Sequence, residues 1–445
     1  MPEIASPPAS TLTPAKTARQ RSDTLTSIWM IIAVAMALVT LVVKNRMPQP
    51  LWTMIHLVTL GVLSNGIFQW SWFFARSLAR MPADDSRARR HNTIRILIFN
   101  ACFLLLFVSM WLGWMVGTMI AATGIAAVAA WHGAEMLSVL RERLASRFVI
   151  VVRYYVCSAS FFVLAALLAS FVSATMFSPS IPEAMVAMRD RLTLAHALSG
   201  VAGWVGLTIG GTVITLGPTI LRTRMSPDAV SGGVRVLLPW CLSLLLAIAG
   251  ALLGVMPLVG AGILAVGTCA IVGIVYPYAK VLRNKGPREY SAWSFLLGLL
   301  WISVGVCALG VVSLFVSTPS QLRALTLMWL PIIGIAGFAQ LFQGALSYLM
   351  PVVIGGGPSV VRIGIAIIDW QYSLRLGLRN SALILELFLF FTSDSPSVHV
   401  LRMAGWFLVI ATFVIDVVIY AKTGVTQART RRARSETLSE SRQVQ

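Results

Sequence analysis

Long apolar runs alternate with short polar breaks along the whole chain, at the spacing of membrane crossings rather than of a soluble core. A helix rising 1.5 Å per residue needs about 20 mainly apolar residues to cross a bilayer. Runs of that kind are predicted at 28–43, 51–74, 95–113, 116–138, 148–172, 195–219, 236–254, 258–279, 292–316, 325–350, 378–393 and 403–421. The third and fourth nearly merge. The expectation is an all-α polytopic membrane protein of about twelve transmembrane helices. Residues 1–27, polar and rich in Ser, Thr and Pro, predict a disordered cytoplasmic N-terminus. Residues 28–421 predict one transmembrane helical domain, and residues 422–445 a basic cytoplasmic tail. The first apolar run is followed by no cleavage signal and is expected to be a retained helix. The segment at 351–380, "PVVIGGGPSVVRIGIAIIDWQYSLRLGLRN", is too polar to span and predicts a partly helical connection at the cytoplasmic interface. No internal repeat is visible.

Composition supports the membrane reading. The 445 residues are 57% hydrophobic and 11% charged, with a mean hydropathy of +0.82, where a soluble chain carries about a quarter charged residues. A net charge of +19 could suggest nucleic acid, but no basic stripe sits on a soluble module, and in membrane proteins Lys and Arg collect in cytoplasmic loops. With the N-terminus inside, the loops at 76–95 and 280–288 and the tail are the basic ones. Only Lys44, Arg46, Arg189, Arg191, Arg323 and Arg402 of the 35 basic residues face outward. Both termini are therefore expected in the cytoplasm. The five cysteines fall singly in apolar segments, without metal-binding spacing. Walker motifs, HExxH and a Ser/His/Asp set are absent, which removes ATP-driven and hydrolytic readings.

Five histidines stand out against this background. His91 lies in a basic loop and His399 in a short outer loop, where solvation explains both. His132 lies near Glu135 at the cytoplasmic end of the fourth run and predicts an interfacial ion pair. His56 and His196 differ, because both lie near the outer end of a run. His56 comes about five residues in, roughly 8 Å below the helix end. An imidazole in lipid is costly and turns to a partner. Two readings stand: separate histidines bonded to backbone carbonyls, or the two axial ligands of a haem, one from each side. The sixth run is rich in glycine (Gly200, Gly203, Gly206, Gly210, Gly211), and Gly61 follows His56. Such residues allow close packing against either a neighbouring helix or a flat cofactor.

At "HLVTLG" and "AHALSGVAGWVGLTIGGTVITLGP" the chain resembles NnrS-type haem–copper membrane proteins. It also resembles the membrane module of actinobacterial copper oxidase and nitrite-reductase-like chains and, more distantly, subunit I of the haem–copper oxidases. The motifs cover about fifty residues. The resemblance implies a multi-pass protein of the bacterial cell membrane, with haem and possibly copper as cofactors and a role in redox, nitrogen-oxide or copper metabolism. His56 would be a haem ligand and His196 a second haem or metal ligand. A soluble copper or electron-transfer protein would be a partner at the outer face. Oxidases carry further histidines on the seventh and tenth helices. Here there are none, and Gln340 and Gln343 stand in the tenth, so an oxygen-reducing binuclear centre is not expected.

Two acids, Glu386 and Asp416, fall inside apolar runs and are candidates for a proton path. Met110, Met115 and Met119 flank an outer turn, and their thioethers could bind Cu(I). Twelve helices with both termini inside also suit a proton-coupled secondary transporter. The second-to-third loop, "RSLARMPADDSRARRHN", lacks the glycine-bearing motif usual in such carriers, and the two halves show no symmetry.

Overall fold

A computed structural model describes residues 13–82, 85–143, 148–177, 182–224, 227–284, 286–393 and 395–443. Among these residues the chain is helical throughout, with no strand. Ten helices are long and apolar enough to cross a membrane: α2 (Pro50–Leu78), α3 (Arg87–Leu112), α4 (Met115–Glu142), α5 (Val149–Met176), α6 (Glu183–Ile220), α7 (Pro227–Leu253), α8 (Met256–Arg283), α9 (Tyr290–Phe315), α10 (Pro319–Ile354) and the greater part of α13, over Pro396–Arg434. Each coincides with one of the predicted runs. The remaining two runs fall on α1 (Thr13–Val43), whose apolar part is the shorter Thr26–Thr40, and on α12 (Tyr372–Leu389), which carries Arg375, Arg379 and Glu386. A short apolar helix, α11 (Pro358–Ile368), precedes α12.

Local chemistry sets these boundaries. Helices α2, α7, α10, α11 and α13 open on proline, which suits a first turn where no amide bond is needed. The third and fourth runs are separated by Gly113 at φ 65°, and α7 and α8 by Gly254 at φ 75°, left-handed caps that glycine adopts without a Cβ clash. Helix α1 reaches back to Thr13, into the stretch expected to be disordered; residues 1–12 of that stretch lie outside the described residues. At the other end α13 runs on to Gln443, so the basic tail continues the last helix. The tail is anchored: Gln427 Nε2 donates to the carbonyl oxygens of Pro351 at 2.7 Å and Gly355 at 3.1 Å, and Arg431 Nη1 to that of Ile354 at 2.8 Å.

The chain divides into two compact units. The first comprises Met1–Thr215, Pro227–Cys269 and Ser313–Ser320, the second Leu216–Ser226, Ala270–Val312 and Gln321–Gln445. In the first unit Phe68, Phe99, Phe162 and Trp204 pack into an aromatic core. Polar clasps tie its helices together. Asn65 and Asn100 exchange amide bonds at 3.0 and 2.8 Å, and Trp204 Nε1 donates to Ser64 Oγ at 2.9 Å. In the second unit α9 lies directly on α10. A Cβ added at Gly298 would fall 2.4 Å from the backbone nitrogen of Leu341, and one at Gly344 2.4 Å from that of Phe295. Lipid offers no hydrophobic drive between helices, so such close backbone packing carries their association.

Candidate functional site: a facing pair of histidines

His56 and His196 meet. Their ring centroids are 6.1 Å apart and their planes differ by 16°. Winding of the two helices sets this up. Helix α2 widens to i→i+5 hydrogen bonding over Leu57–Ser64, directly after His56, and α6 does so over Leu198–Gly206, two residues after His196. Such widened turns change side-chain phase and frequently accompany functional sites.

Each imidazole is pinned by one nitrogen. His56 Nδ1 bonds the Trp52 carbonyl oxygen at 2.8 Å, and His196 Nδ1 bonds that of Ala165 at 2.8 Å. A carbonyl oxygen only accepts, so both Nδ1 atoms carry the proton and both Nε2 atoms keep a lone pair. Among the described residues neither Nε2 has a hydrogen-bond partner. The Trp52 ring stacks on His56 at 4.3 Å. Both imidazoles are half-buried rather than sealed. A proton on Nδ1 held by a backbone carbonyl is the usual outer arrangement of a metal-ligating histidine. With metal–nitrogen bonds of about 2 Å on each side, two collinear imidazoles have centroids roughly 6 Å apart. The 6.1 Å separation of this stacked pair is of that size. Among the described residues no group of three or more His, Cys, Asp or Glu could hold a metal, so these two nitrogens stand without a third such ligand.

The nearby glycines serve helix packing. A Cβ at Gly61 would come within 2.5 Å of Ala33 Cβ, one at Gly203 within 2.5 Å of Phe161 Cβ, and one at Gly211 within 2.5 Å of Tyr154 Cβ. Of the two uses open to them, these three positions show contact with another helix. The methionines are not presented together, since Met110 is buried while Met115 and Met119 are exposed.

The other histidines fall differently. His399 is exposed. His91, expected to be only solvated, bonds Glu135 through Nδ1 at 2.7 Å. His132, expected to pair with Glu135, instead lies fully buried with Nε2 3.3 Å from Ser71 Oγ. Glu135 is instead engaged by His91, Arg95 and Trp131, which leaves His132 to turn toward Ser71.

The two acids are held apart. Asp416 is fully buried and takes both Arg375 and Arg379 as ion-pair partners, with Tyr290 Oη donating to Oδ2 at 2.6 Å. Arg379 also reaches Gln343 Oε1 at 2.9 Å and Thr412 Oγ1 at 3.1 Å. Sequence reading missed the arginines, although their i, i+4 spacing puts both on one face of α12. Glu386 lies buried against Gly405, with Oε1 lacking a hydrogen bond. An apolar cluster that includes Ala382, Leu383 and Val409 occupies the turns between the two acids. Gln340 and Gln343 serve the packing of the second unit, where Gln340 exchanges amide bonds with Asn380 at 3.2 and 3.0 Å. No protein-family model matches the chain, and no curated protein matches it.

Proposed function

We propose that the protein is an integral membrane metal-binding protein whose centre is held by His56 and His196, with haem as the group bound between them. The facing imidazoles carry this reading: two Nε2 lone pairs without protein partners, at a ring separation suited to one metal atom, in a chain of membrane-crossing helices. The resemblance of "HLVTLG" and "AHALSGVAGWVG" to haem–copper membrane proteins supports it. Under the same proposal both termini lie in the cytoplasm and α1 and α12 complete twelve crossings, which puts the histidine pair near the outer surface of a bacterial cell membrane. An outer electron-transfer or copper protein would then have access to it.

A bound haem would supply one-electron redox chemistry. The chain's own part is to orient and shield. Trp52 and Ala165 fix the tautomer and tilt of each ring through their carbonyls, and the Trp52 indole covers one face of His56. Copper(I), which accepts two imidazoles, is the runner-up occupant. With no further histidine at the centre, oxygen reduction is not expected.

An absorption spectrum of protein purified from haem-replete cells tests this. Two neutral imidazoles on iron give a low-spin spectrum with sharp bands on reduction, and His56→Ala and His196→Ala should each lose haem or turn it high-spin. Protein without a Soret band but with one equivalent of copper, lost in both variants, would select the copper reading; protein with neither would sink the proposal. Topology is tested separately. A single cysteine at Ala184 should be labelled from outside intact cells, whereas labelling only after permeabilisation would invert the arrangement.

A second reading, a proton-coupled secondary transporter, rests on Glu386, a buried carboxyl group with one oxygen lacking a hydrogen bond. Intramembrane acids of this kind mark proton sites. Glu386→Gln should abolish proton-coupled flux without lowering yield; unchanged flux in proteoliposomes would remove this reading.

A further inference from the structure

In the second unit the end of α10, the start of α11 and the tail of α13 carry positive charge that the protein's own acids do not balance. Arg362, Arg431 and Arg434 are exposed, and among the described residues none of them pairs with a carboxylate. Basic residues elsewhere differ. Arg87 pairs with Asp85 and Glu142, Arg95 with Glu135, and Arg222 with Glu289. Neither the stretch from Pro351 to Ile368 nor that from Lys422 to Arg434 contains an acid.

The three guanidinium groups gather on one turn. Arg431 Nη1 donates to the carbonyl oxygen of Ile354 at 2.8 Å, and Arg434 Nη1 to that of Gly356 at 3.3 Å and to Ser359 Oγ. Arg362 Nε donates to the carbonyl oxygen of Pro358 at 3.3 Å. Gly355, Gly356 and Gly357 form this turn at φ 73°, 101° and 88°. Their lack of side chains leaves room for the arginines. A Cβ at Gly356 would come within 3.1 Å of Arg431 Cγ, and one at Gly357 within 3.3 Å of Arg434 Nη1. A guanidinium has five N–H donors, and these bonds use one or two of them. The charges are thus held in place with donors to spare.

Apolar side chains lie on the same surface. The last turn of α10, a helix long enough to cross a membrane, exposes Val352 and Val353, and α11 exposes Ile363. Trp370, just past α11, is 59% exposed, as aromatic residues at a membrane boundary are. An acidic peptide would answer the arginines and leave these apolar residues uncovered. A phospholipid with a negative headgroup answers both, and basic residues at the end of a membrane helix attract such lipids. We propose that this surface binds an anionic phospholipid, with the headgroup on Arg362, Arg431 and Arg434 and the acyl chains along Val352, Val353 and Ile363. The inference stands apart from metal binding at His56 and His196.

The test uses full-length protein in detergent, titrated with phosphatidylglycerol or with phosphatidylcholine, with bound lipid counted by native mass spectrometry. Phosphatidylglycerol should bind the more tightly. One arginine beside an anionic lipid surface is worth about fivefold in affinity and two about thirtyfold. Arg431→Gln/Arg434→Gln should therefore weaken the tightest phosphatidylglycerol site by about thirtyfold. Lys44→Gln/Arg46→Gln removes the same charge from two exposed residues of another loop and should leave that site unchanged. If the first variant fails to fold, Arg362→Gln replaces it, with an expected loss of about fivefold. Equal affinity for the two lipids, an equal loss in the two double variants, or unchanged affinity in folded Arg362→Gln would overturn the proposal. So would displacement of the lipid by inorganic phosphate at the same concentration, which would make the site one for a free anion.

Discussion

The histidine pair of the first unit and the Asp416 cluster of the second are both polar groups set within apolar helices, yet they are finished to different degrees. Around Asp416 each guanidinium nitrogen and both carboxylate oxygens have partners: Arg375, Arg379, Tyr290, Gln343, Thr412 and backbone carbonyls close the set. At His56 and His196 the protein satisfies one nitrogen of each ring and leaves the other with its lone pair. A buried group with all its bonds made holds helices together. A neighbouring pair with matching capacity left over can take up something else. The difference separates a structural cluster from a candidate site where depth and polarity alone would rank them together.

Removing Asp416 is the strongest challenge to this contrast. Asp416→Ala leaves two arginines buried without their counter-charge, and breaking a buried pair in this way costs roughly 3–5 kcal/mol. The variant should melt far below wild type in detergent or fail to accumulate. A small shift in melting temperature would show that the cluster is not the structural element described here.

Gly203→Ala comes next. The new methyl would meet Phe161 at 2.5 Å, and overpacking of this kind costs about 1–3 kcal/mol. Because His196 is fixed to Ala165 on the same neighbouring helix, pushing α6 from α5 should also weaken ligand binding at the pair. A melting curve and a haem or copper titration of the same sample read both effects.

His56→Ala and His196→Ala should cost less, about 1 kcal/mol each, the value of one hydrogen bond to backbone. Their effect belongs in binding, where either change alone should remove the bound group. A large fall in stability without ligand would make the pair a packing element, like Asp416.

The smallest effect is at Asp85, outside the spans. Its salt bridge with Arg87 at 2.7 Å holds its carboxyl below the usual carboxylate range. A depressed pKa contributes stability above the unfolded value and loses it as pH falls through the folded one, so the contribution is fully present at neutral pH. Being near the surface, it is worth less than about 1 kcal/mol. Asp85→Asn should lower the melting temperature slightly at pH 7, and the difference should shrink as pH falls through the depressed folded-state value. His399→Ala, at an exposed position, should change nothing measurable.

Sequence alone located the ten long helices, because crossing a bilayer demands a length and a polarity that residue type sets directly. It also put His56 and His196 at one depth, because depth follows from counting residues along a helix from its end. What it left open was which groups face each other. The arginines of "YSLRLGLRN" read as an interfacial connection, and only the packing of α12 on α13 shows them closing on Asp416. His132 sits three residues from Glu135 in the chain, but the fold gives Glu135 to Arg95 and His91 and turns His132 toward Ser71 and the aromatic core. The widened turns after His56 and near His196 carry no mark in residue type that we can name. Residue type and spacing fix where along the membrane a group lies, since each span is a rigid ruler of 1.5 Å per residue. Which partner it meets depends on the rotation and contact of neighbouring helices, and that is decided by tertiary packing.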